Sequence, residues 1–222
     1  MFTGIVEEIG TVVAAHDAGG DLRVRIEAER VLDGLAMGDS VAVSGCCLTV
    51  VAHDDRGFEV ELSLETVAKT APRWHAGARV NLERALAADG RFGGHVVTGH
   101  VGGTGEVLAI DAQPGAFVVT MRAPDPFARW LIPKGSLTVD GVSLTVVDVG
   151  GPAGSSEALD AATFTLWLIP HTLQVTTLGD LRPGDRVNLE ADVLAKHVER
   201  LLALGFLAAT PAAAGTGGDD AR

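Results

Sequence analysis

The sequence is short of the features that mark several common classes of protein. Among its 222 residues, 17 Lys+Arg stand against 29 Asp+Glu, which gives a formal net charge of −12. Nucleic-acid binding depends on clustered cations, so this balance argues against a nucleic-acid partner. The only two cysteines, Cys46 and Cys47, are adjacent; they cannot form a disulfide framework and lack the spacing of metal ligands. We therefore expect no metal site and a reducing compartment.

Signals for membranes and export are also missing. No uninterrupted apolar run reaches the roughly 18 residues that a membrane-spanning helix needs. The segment Met1–Glu8 has no basic region followed by an apolar run, so no signal peptide is visible. We expect a soluble, cytoplasmic protein with no membrane partner.

The chain contains an internal repeat. Three pairs of segments match in the same order, and the offset grows from 95 (Thr3 to Thr98) to 96 (Ser44 to Asp140) to 107 (Arg79 to Arg186). The pairs are Thr3–Val6 with Thr98–Val101, Ser44–Val51 with Asp140–Val147, and Arg79–Glu83 with Arg186–Glu190. Ordered matches of this kind indicate a duplicated module.

Each copy reads as a small β-barrel. Short apolar segments are separated by Gly, Asp and Ser, and Leu22–Ile26 alternates with period two, as a strand with one buried face does. Ser44-Gly45 and Asp140-Gly141 are typical of tight hairpin turns. Evenly spaced short strands without a long helix favour closed barrels. The strands predicted in the first copy are Thr11–Ala15, Leu22–Ile26, Ser40–Val43, Cys47–Val51, Phe58–Leu62 and Arg79–Leu82.

The predicted organisation is a first barrel over residues 1–97, a second over 98–191, a helix over 192–206 and a disordered tail over 207–222. Gly150–Ala162, rich in Gly, Ser and Ala, is predicted to be an exposed loop. The tail has no core-forming residues. The helix carries an apolar stripe that either packs on its own barrel or mediates self-association. The stripe comprises Leu194, Val198, Leu201 and Leu202.

Several motifs resemble the riboflavin synthase alpha chain family, over roughly Met1 to Leu204. They are Met1–Val6, Gly45–Val50, Gly93–His95 with Gly99–His100, Asp140–Val146 and Ile169–Leu173. The resemblance implies a mainly β fold of two tandem, similar six-stranded antiparallel β-barrels plus a C-terminal α-helix through which three chains associate. It implies a dismutation in which one 6,7-dimethyl-8-ribityllumazine gives a four-carbon unit to another. The products are riboflavin and 5-amino-6-ribitylamino-2,4-pyrimidinedione, and no cofactor is needed.

Differences between the copies point to candidate catalytic residues. Four pairs of matched positions that differ in chemical type are the candidates, and in three of them the ionisable member lies in the second copy. The pairs are Ile5 with His100, Gly38 with Lys134, Cys47 with Ser143, and Ala85 with Asp192. We infer that both modules bind one type of ligand and that the second supplies most of the proton chemistry. The roles of base and nucleophile stay open.

The binding segments that the resemblance implies fall in both modules. In the first module they comprise Gly4, Ile5, Val6, Cys47, Leu48, Thr49, Glu61, Leu62, Ser63, Leu64, Glu65 and Thr66. In the second they comprise Gly99, His100, Val101, Lys134, Ser143, Leu144, Thr145, Ile169, Pro170, His171, Thr172, Leu173 and Gln174. Hydroxyls of Thr49, Thr66, Thr145 and Thr172, with Glu65, are candidate partners of the ribityl chain. Since His171 stands where the first copy has Glu65, the pockets differ.

Structural roles compete with several of these assignments. Cys46 is predicted to be a core thiol, because adjacent strand residues alternate faces. A lone histidine such as His100 is more often structural, Asp192 stands at a helix N-cap, and Lys134 could be a turn residue. Glu83 and Glu190, present in both copies, are predicted to hold an arginine or backbone amides. The segment Ala71–His75 departs from the family pattern.

Three function classes remain open on the sequence. The first is the enzyme, the second is a non-catalytic carrier of a lumazine or flavin, and the third is a generic barrel ligand-binding module. A carrier needs no set of reactive side chains, so the Cys, Ser, His, Lys and Asp candidates favour the enzyme. The family further suggests a site between the first module of one subunit and the second module of its neighbour.

Overall fold

A computed structural model describes residues 1–125, 127–150 and 162–206. In these ranges the first six strands close into an antiparallel barrel with neighbour order β1-β2-β5-β4-β3-β6. The strands are β1 Glu8–Asp17, β2 Leu22–Glu27, β3 Ser40–Val43, β4 Cys46–Asp54, β5 Gly57–Leu62 and β6 Arg79–Arg84. Each of the six strands predicted from the sequence is present.

The next six strands form a second closed antiparallel barrel with the same topology, in the order β10-β11-β8-β7-β12-β9. They are β7 Gly103–Gln113, β8 Ala116–Arg122, β9 Ser136–Val139, β10 Val142–Val149, β11 Thr163–Leu168 and β12 Arg186–Ala191. The predicted fold class is therefore confirmed. The predicted tail, and the predicted loop apart from its end residues Gly150 and Ala162, lie outside the described residues.

Period-two patterning explains why these segments are strands. In β2, Val24 and Ile26 are fully buried in the first barrel, whereas Arg23 and Arg25 point outward. Arg23 binds Glu59 on the adjacent strand β5, and Arg25 binds Asp54 at the end of β4, with an N–O distance of 2.6 Å in each pair. Burial of the apolar face closes the barrel, and the polar face stays in water.

Three α-helices accompany the barrels in the described ranges. They are α1 Leu64–Lys69, α2 Pro170–Val175 and α3 Val193–Ala203. The sequence predicted α3 but not α1 and α2, since a six-residue helix is too short for its apolar period to show. A local signal was available for α1, because Ser63 Oγ accepts a hydrogen bond from Thr66 N at 3.2 Å as an N-cap. None of the helices in the described ranges is long and apolar enough to cross a membrane.

The barrels meet at the two predicted hairpin turns. Ser44 and Gly45 have φ of 44° and 79°, and Asp140 and Gly141 have φ of 46° and 81°, as in type I′ turns. The two glycines lie back to back. A Cβ on Gly45 would be 2.7 Å from Gly141 N, and a Cβ on Gly141 would be 2.7 Å from Gly45 N. Glycine is required at both positions because φ is positive and because the other turn leaves no room for a side chain.

Two asparagines join the barrels reciprocally. Asn81 Nδ2 donates to the Asp140 carbonyl, and Asn188 Nδ2 donates to the Ser44 carbonyl, both at 2.8 Å. Asn81 Oδ1 accepts from Thr177 N at 2.8 Å, and Asn188 Oδ1 accepts from Ala71 N at 2.6 Å. Both side chains are buried, so the four bonds satisfy polar groups that would otherwise be costly.

The segment that departs from the family pattern, Ala71–His75, also has a structural role at this interface. Arg73 forms an ion pair with the fully buried Asp140, whose carboxylate also accepts from Asn188 N at 2.8 Å. Burial raises the pKa of Asp140, and the positive charge of Arg73 opposes that rise. The first barrel has Ser44 at the position of Asp140. Its turn therefore has no carboxylate at this position for a matching ion pair.

The contact between the glycines can be tested with two substitutions. Gly77 has φ of 86° with nothing within 4 Å of its Cβ position, so Gly77→Ala should cost only about 1 kcal/mol for the left-handed conformation. Gly45→Ala should cost roughly 1–3 kcal/mol more, because its methyl group would overlap the other barrel. Urea denaturation of both variants measures the difference. Equal losses of stability would show that the barrels do not depend on this contact.

Candidate active site

The segment Gly4–Val6 lies on the second barrel, although it precedes the first strand of the first barrel. The Gly4 carbonyl accepts a hydrogen bond from Ser143 N at 2.8 Å, and a Cβ on Gly4 would be 2.7 Å from Ser143 Cβ. Val6 packs against the core of the second barrel. This N-terminal segment therefore borders Ser143.

The matching segment Gly99–Val101 crosses in the opposite direction. The Gly99 carbonyl accepts from Cys47 N at 2.8 Å, and a Cβ on Gly99 would be 2.5 Å from Cys47 Cβ. Val101 packs against the core of the first barrel. The two crossings are reciprocal.

Buried carboxylates hold both crossing segments. Glu83, on β6, accepts hydrogen bonds from Thr3 N at 2.7 Å and Gly4 N at 3.0 Å. Glu190, on β12, accepts from Thr98 N at 2.7 Å and Gly99 N at 2.9 Å. Glu83 and Glu190 therefore hold backbone amides, as the sequence suggested. Each segment binds its own barrel through N–H groups and the other barrel through a carbonyl.

The crossing changes how the predicted binding segments are grouped in space. The sequence assigned Gly4–Val6 to the first module and Gly99–Val101 to the second, and the glycine carbonyl of each segment contacts the barrel of the other module. We name the resulting sets of predicted binding residues the Cys47 pocket and the Ser143 pocket. The Cys47 pocket comprises Cys47–Thr49, Glu61–Thr66 and Gly99–Val101. The Ser143 pocket comprises Ser143–Thr145, Ile169–Gln174 and Gly4–Val6.

His95 is the residue that the sequence argument missed. Its Nδ1 lies 2.7 Å from Ser143 Oγ, and its Nε2 lies 3.4 Å from Thr138 Oγ1. Burial lowers the pKa of His95, so the neutral imidazole is favoured near pH 7. A neutral ring can accept the Ser143 hydroxyl proton at Nδ1 while Nε2–H faces Thr138. The arrangement is that of a hydroxyl, a base and an orienting group.

The backbone around His95 is shaped for close approach. A Cβ on Gly94 would lie 2.0 Å from the Thr3 carbonyl oxygen and 3.0 Å from Ser143 Oγ. His95 N donates to the same Thr3 carbonyl at 3.1 Å. A side chain at Gly94 would therefore push the crossing segment away from Ser143.

Asp192 acts on the same histidine while it caps a helix. Asp192 Oδ1 accepts from Leu194 N at 2.9 Å at the start of α3, so the N-cap interpretation is correct. The negative charges of Asp192 and Glu190 raise the pKa of His95, but less than burial lowers it. The cap and an electrostatic influence on the site are therefore compatible.

Lys134 occupies a backbone conformation that disfavours lysine. Its φ is 65°, and its N–H donates to the Val146 carbonyl at 2.7 Å. The matching residue in the first barrel is Gly38, with φ of 90° and an equivalent bond to the Val50 carbonyl at 2.9 Å. A non-glycine residue in this region costs on the order of 1–2 kcal/mol. The backbone at Lys134 is therefore strained, and a function for the lysine side chain would explain why glycine does not occupy this position.

The remaining ionisable candidates lie elsewhere. His100 is exposed and follows Gly99, so it borders the Cys47 pocket and not Ser143. Cys47 is half-buried, whereas Cys46 is buried, and burial raises the pKa of Cys46 to about 12. Cys46 is therefore the core thiol, as predicted. The ionisable groups of the second copy do not share one pocket.

Two predicted binding residues cannot use their side chains. Leu48 and Leu62 are buried in the core of the first barrel, so a ligand in the Cys47 pocket could meet only their backbone. Several other residues of the two sets have exposed side chains. These are Ile5, Thr49, Glu61, Ser63, Leu64, Glu65, His100, Lys134, Thr145, Ile169, Pro170, His171 and Gln174.

A cavity of about 1030 Å³ lies beside these pockets but not in them. It is enclosed by the rim of the first barrel and by the connecting segment that includes Arg91, Phe92 and Gly93. Of the predicted binding residues, only Ile5 lines it. The described part of the chain contains no group of three or more His, Cys, Asp or Glu residues placed to hold a metal ion.

Comparison with known proteins identifies the family. The lumazine binding domain model matches twice, at residues 3–85 and 98–192. Riboflavin synthase of Actinobacillus pleuropneumoniae is 40% identical over 203 residues, covering 91% of this chain and 90% of that protein. Riboflavin synthase of Mycobacterium tuberculosis (strain ATCC 25618 / H37Rv) is 45% identical over 204 residues, covering 91% and 98%.

The chain belongs to the lumazine-binding riboflavin synthase family. A crystal structure of LumP complexed with riboflavin shares the fold, with a TM-score of 0.75 and 22% identity over 86% of this chain and 99% of that one. The family resemblance proposed from the motifs is thus confirmed. His95 lies in the connection between the two repeats, outside both matched ranges. Comparing the copies could not reveal it, although it stood in the Gly93–His95 motif.

The ionisation of His95 tests the geometry of the Ser143 pocket. We expect a pKa below the ordinary 6.5, and Asp192→Asn should lower it further, because a negative charge that stabilises the imidazolium is removed. NMR titration of the histidine ring signals measures both values, with His95→Gln assigning the signal. Asp111→Asn, an exposed change on β7, is the control. The arrangement would be contradicted if the pKa of His95 has its ordinary value, or if the Asp192→Asn substitution leaves that pKa unchanged.

Proposed function

We propose that this protein is a riboflavin synthase that converts two molecules of 6,7-dimethyl-8-ribityllumazine into riboflavin and 5-amino-6-ribitylamino-2,4-pyrimidinedione. The observation that carries the proposal is the pair of reciprocal pockets with different reactive groups. Both are built from matching strands and crossing segments, so they suit two copies of one ligand. The Cys47 pocket offers a thiol, and the Ser143 pocket offers a hydroxyl bound to a histidine.

The reaction needs two kinds of group. One removes a proton from the acidic methyl group on the lumazine ring, and one adds, or activates a water that adds, to the neighbouring electron-poor carbon. In the Ser143 pocket, neutral His95 is the base and Ser143 carries the proton between His95 and the ligand or water. The sequence had offered His100 as a catalytic candidate and had left the roles of base and nucleophile open.

Charged neighbours complete the Ser143 pocket. Asp192 stabilises His95 as it takes up a proton, since its charge raises the histidine pKa. Lys134 supplies a positive charge where the first barrel has glycine, which explains why the strained conformation is kept. A cation there favours the electron-rich ring that forms after the methyl group loses its proton.

The Cys47 pocket then holds the second lumazine. Cys47 is half-buried beside Gly99 and serves as nucleophile or contact, with the exposed His100 next in the chain. Holding two ligands face to face makes a bimolecular step effectively unimolecular, which contributes as much as any single side chain. Hydroxyls of Thr49, Thr66, Thr145 and Thr172, with Glu65, remain the proposed partners of the ribityl chains.

Turnover is the direct test. Purified protein given only 6,7-dimethyl-8-ribityllumazine should develop the absorbance of riboflavin. Ser143→Ala and Asp192→Ala should each slow that appearance by about 10²-fold or more, as expected for loss of proton-transfer groups. Asp111→Ala, on the outer face of β7, should leave the rate unchanged. Tight binding of the lumazine without turnover would instead favour a non-catalytic carrier.

The C-terminal helix supports assembly into a trimer. Helix α3 attaches to its own barrel through polar residues: Trp130 Nε1 donates to Glu199 Oε2 at 2.7 Å, and Lys196 lies over the Trp130 ring at 5.3 Å. Its apolar stripe is left exposed, with side chains between 42% and 65% accessible. The stripe therefore does not pack on its own barrel. We propose that three chains associate by burying these stripes against one another. The Cys47 pocket of one subunit then faces the Ser143 pocket of the next. The proposed compartment is the cytoplasm.

Helix substitutions test this assembly. Light scattering should give the mass of three chains, and Leu194→Asp with Leu202→Asp should reduce it to one, because charges on the stripe oppose burial. Riboflavin formation should fall with it, since each site needs two subunits. Arg200→Ala, on the same helix but off the stripe, is the control. A fully active single chain would contradict an intersubunit site.

A further inference from the structure

Trp167 lies on the same outward face of the second barrel as Ser143. Val146 of β10 pairs with Leu166 of β11 in an antiparallel ladder, which ends at this pair. Extending the register beyond it matches Thr145 with Trp167 and, two residues further, Ser143 with Ile169. These four residues share the outward face of the two strands, since Val146, Leu166 and Leu168 point into the core.

The matching position of the first barrel is among its predicted binding residues. There Val50 pairs with Val60, and extending that register matches Thr49 with Glu61 and Cys47 with Ser63. Trp167 therefore stands where the first barrel has Glu61. The sequence argument included Glu61 but began the matching segment of the second module at Ile169, and so it omitted Trp167.

Trp167 is more exposed to solvent than the two other tryptophans. Trp74 Nε1 donates to Thr70 Oγ1 at 2.8 Å, and Trp130 Nε1 donates to Glu199 at 2.7 Å; both side chains are partly buried. Trp167 is 54% exposed. A flat ligand that covered this indole would remove its apolar surface from water, which is favourable.

We propose that Trp167 forms the aromatic wall of the Ser143 pocket, on which the fused ring of the bound lumazine or flavin stacks. This inference rests on the proposed function. A flat, electron-poor ring gains most from offset stacking on an indole. The Cys47 pocket has no equivalent, because Glu61 is a carboxylate engaged by Arg23 at 3.3 Å. The two pockets are thus unequal: one binds the ring by stacking, and the other binds it by polar contacts.

Binding of riboflavin to purified protein tests the wall. Trp167→Ala should weaken one of two binding events by about tenfold or more, since the aromatic stacking partner of the ring is lost. Trp167→Phe should restore most of that affinity. Trp74→Phe is the matched control, because Trp74 lies outside both pockets, and it should bind like the unaltered chain.

A second readout separates stacking from a structural role. Indole in van der Waals contact quenches flavin fluorescence by electron transfer, and phenylalanine does not. Riboflavin bound at the stronger site should therefore be dim in the unaltered chain and in Trp74→Phe, but bright in Trp167→Phe at similar affinity.

Three outcomes would overturn the assignment. Bound riboflavin could remain equally dim in Trp167→Phe, or Trp167→Ala could keep both affinities. Trp167→Ala could also lose subunit association while each chain still binds riboflavin normally, in which case a partner chain covers the indole. If the unaltered chain makes riboflavin and the Trp167 variants bind it like the unaltered chain, the role of Trp167 is wrong and the proposed function stands. If the unaltered chain neither makes nor binds riboflavin, the proposed function itself is wrong.

Discussion

The fold of the site depends on two buried carboxylates that hold two short peptides across the boundary between the barrels. Glu83 and Glu190 each accept the N–H groups of a Thr-Gly pair from their own half of the chain. With its N–H groups fixed, each peptide turns its glycine carbonyl to the strand of the other barrel that carries Ser143 or Cys47. Neither pocket is therefore made by one barrel alone, and each half of the chain helps to build both.

Duplication supplied two similar pockets, and a few substitutions made them different. His95 binds the Ser143 hydroxyl, Asp192 raises the pKa of that histidine, and Lys134 holds a conformation that glycine occupies in the other copy. The Cys47 pocket keeps a thiol and the exposed His100. Under the function proposed above, this combination suits a reaction in which two sites recognise the same ring while only one ring donates the four-carbon unit.

The C-terminal helix is attached to its own barrel by polar residues and leaves its apolar stripe exposed. Polar residues Lys196 and Glu199 fix α3 on Trp130, which leaves the leucine stripe outward. The same helix begins at Asp192, whose charge acts on His95. One short helix therefore has three roles. It packs on its own barrel, it leaves the apolar stripe exposed, and its N-cap residue raises the pKa of His95.

The sequence by itself determined the repeat, the six strands of the first barrel, the two glycine turns, the core position of Cys46 and the cap at Asp192. Each of these depends on local alternation, on turn geometry or on residues that match between copies. Only the tertiary structure decided that the crossing segments exchange barrels, that His95 meets Ser143 and that Trp167 shares its face. Period-two patterns and repeat matching assign a residue to a position within its copy. They carry no information about which barrel an unpaired peptide packs on, because that choice is set by hydrogen bonds between residues about 50 to 140 positions apart.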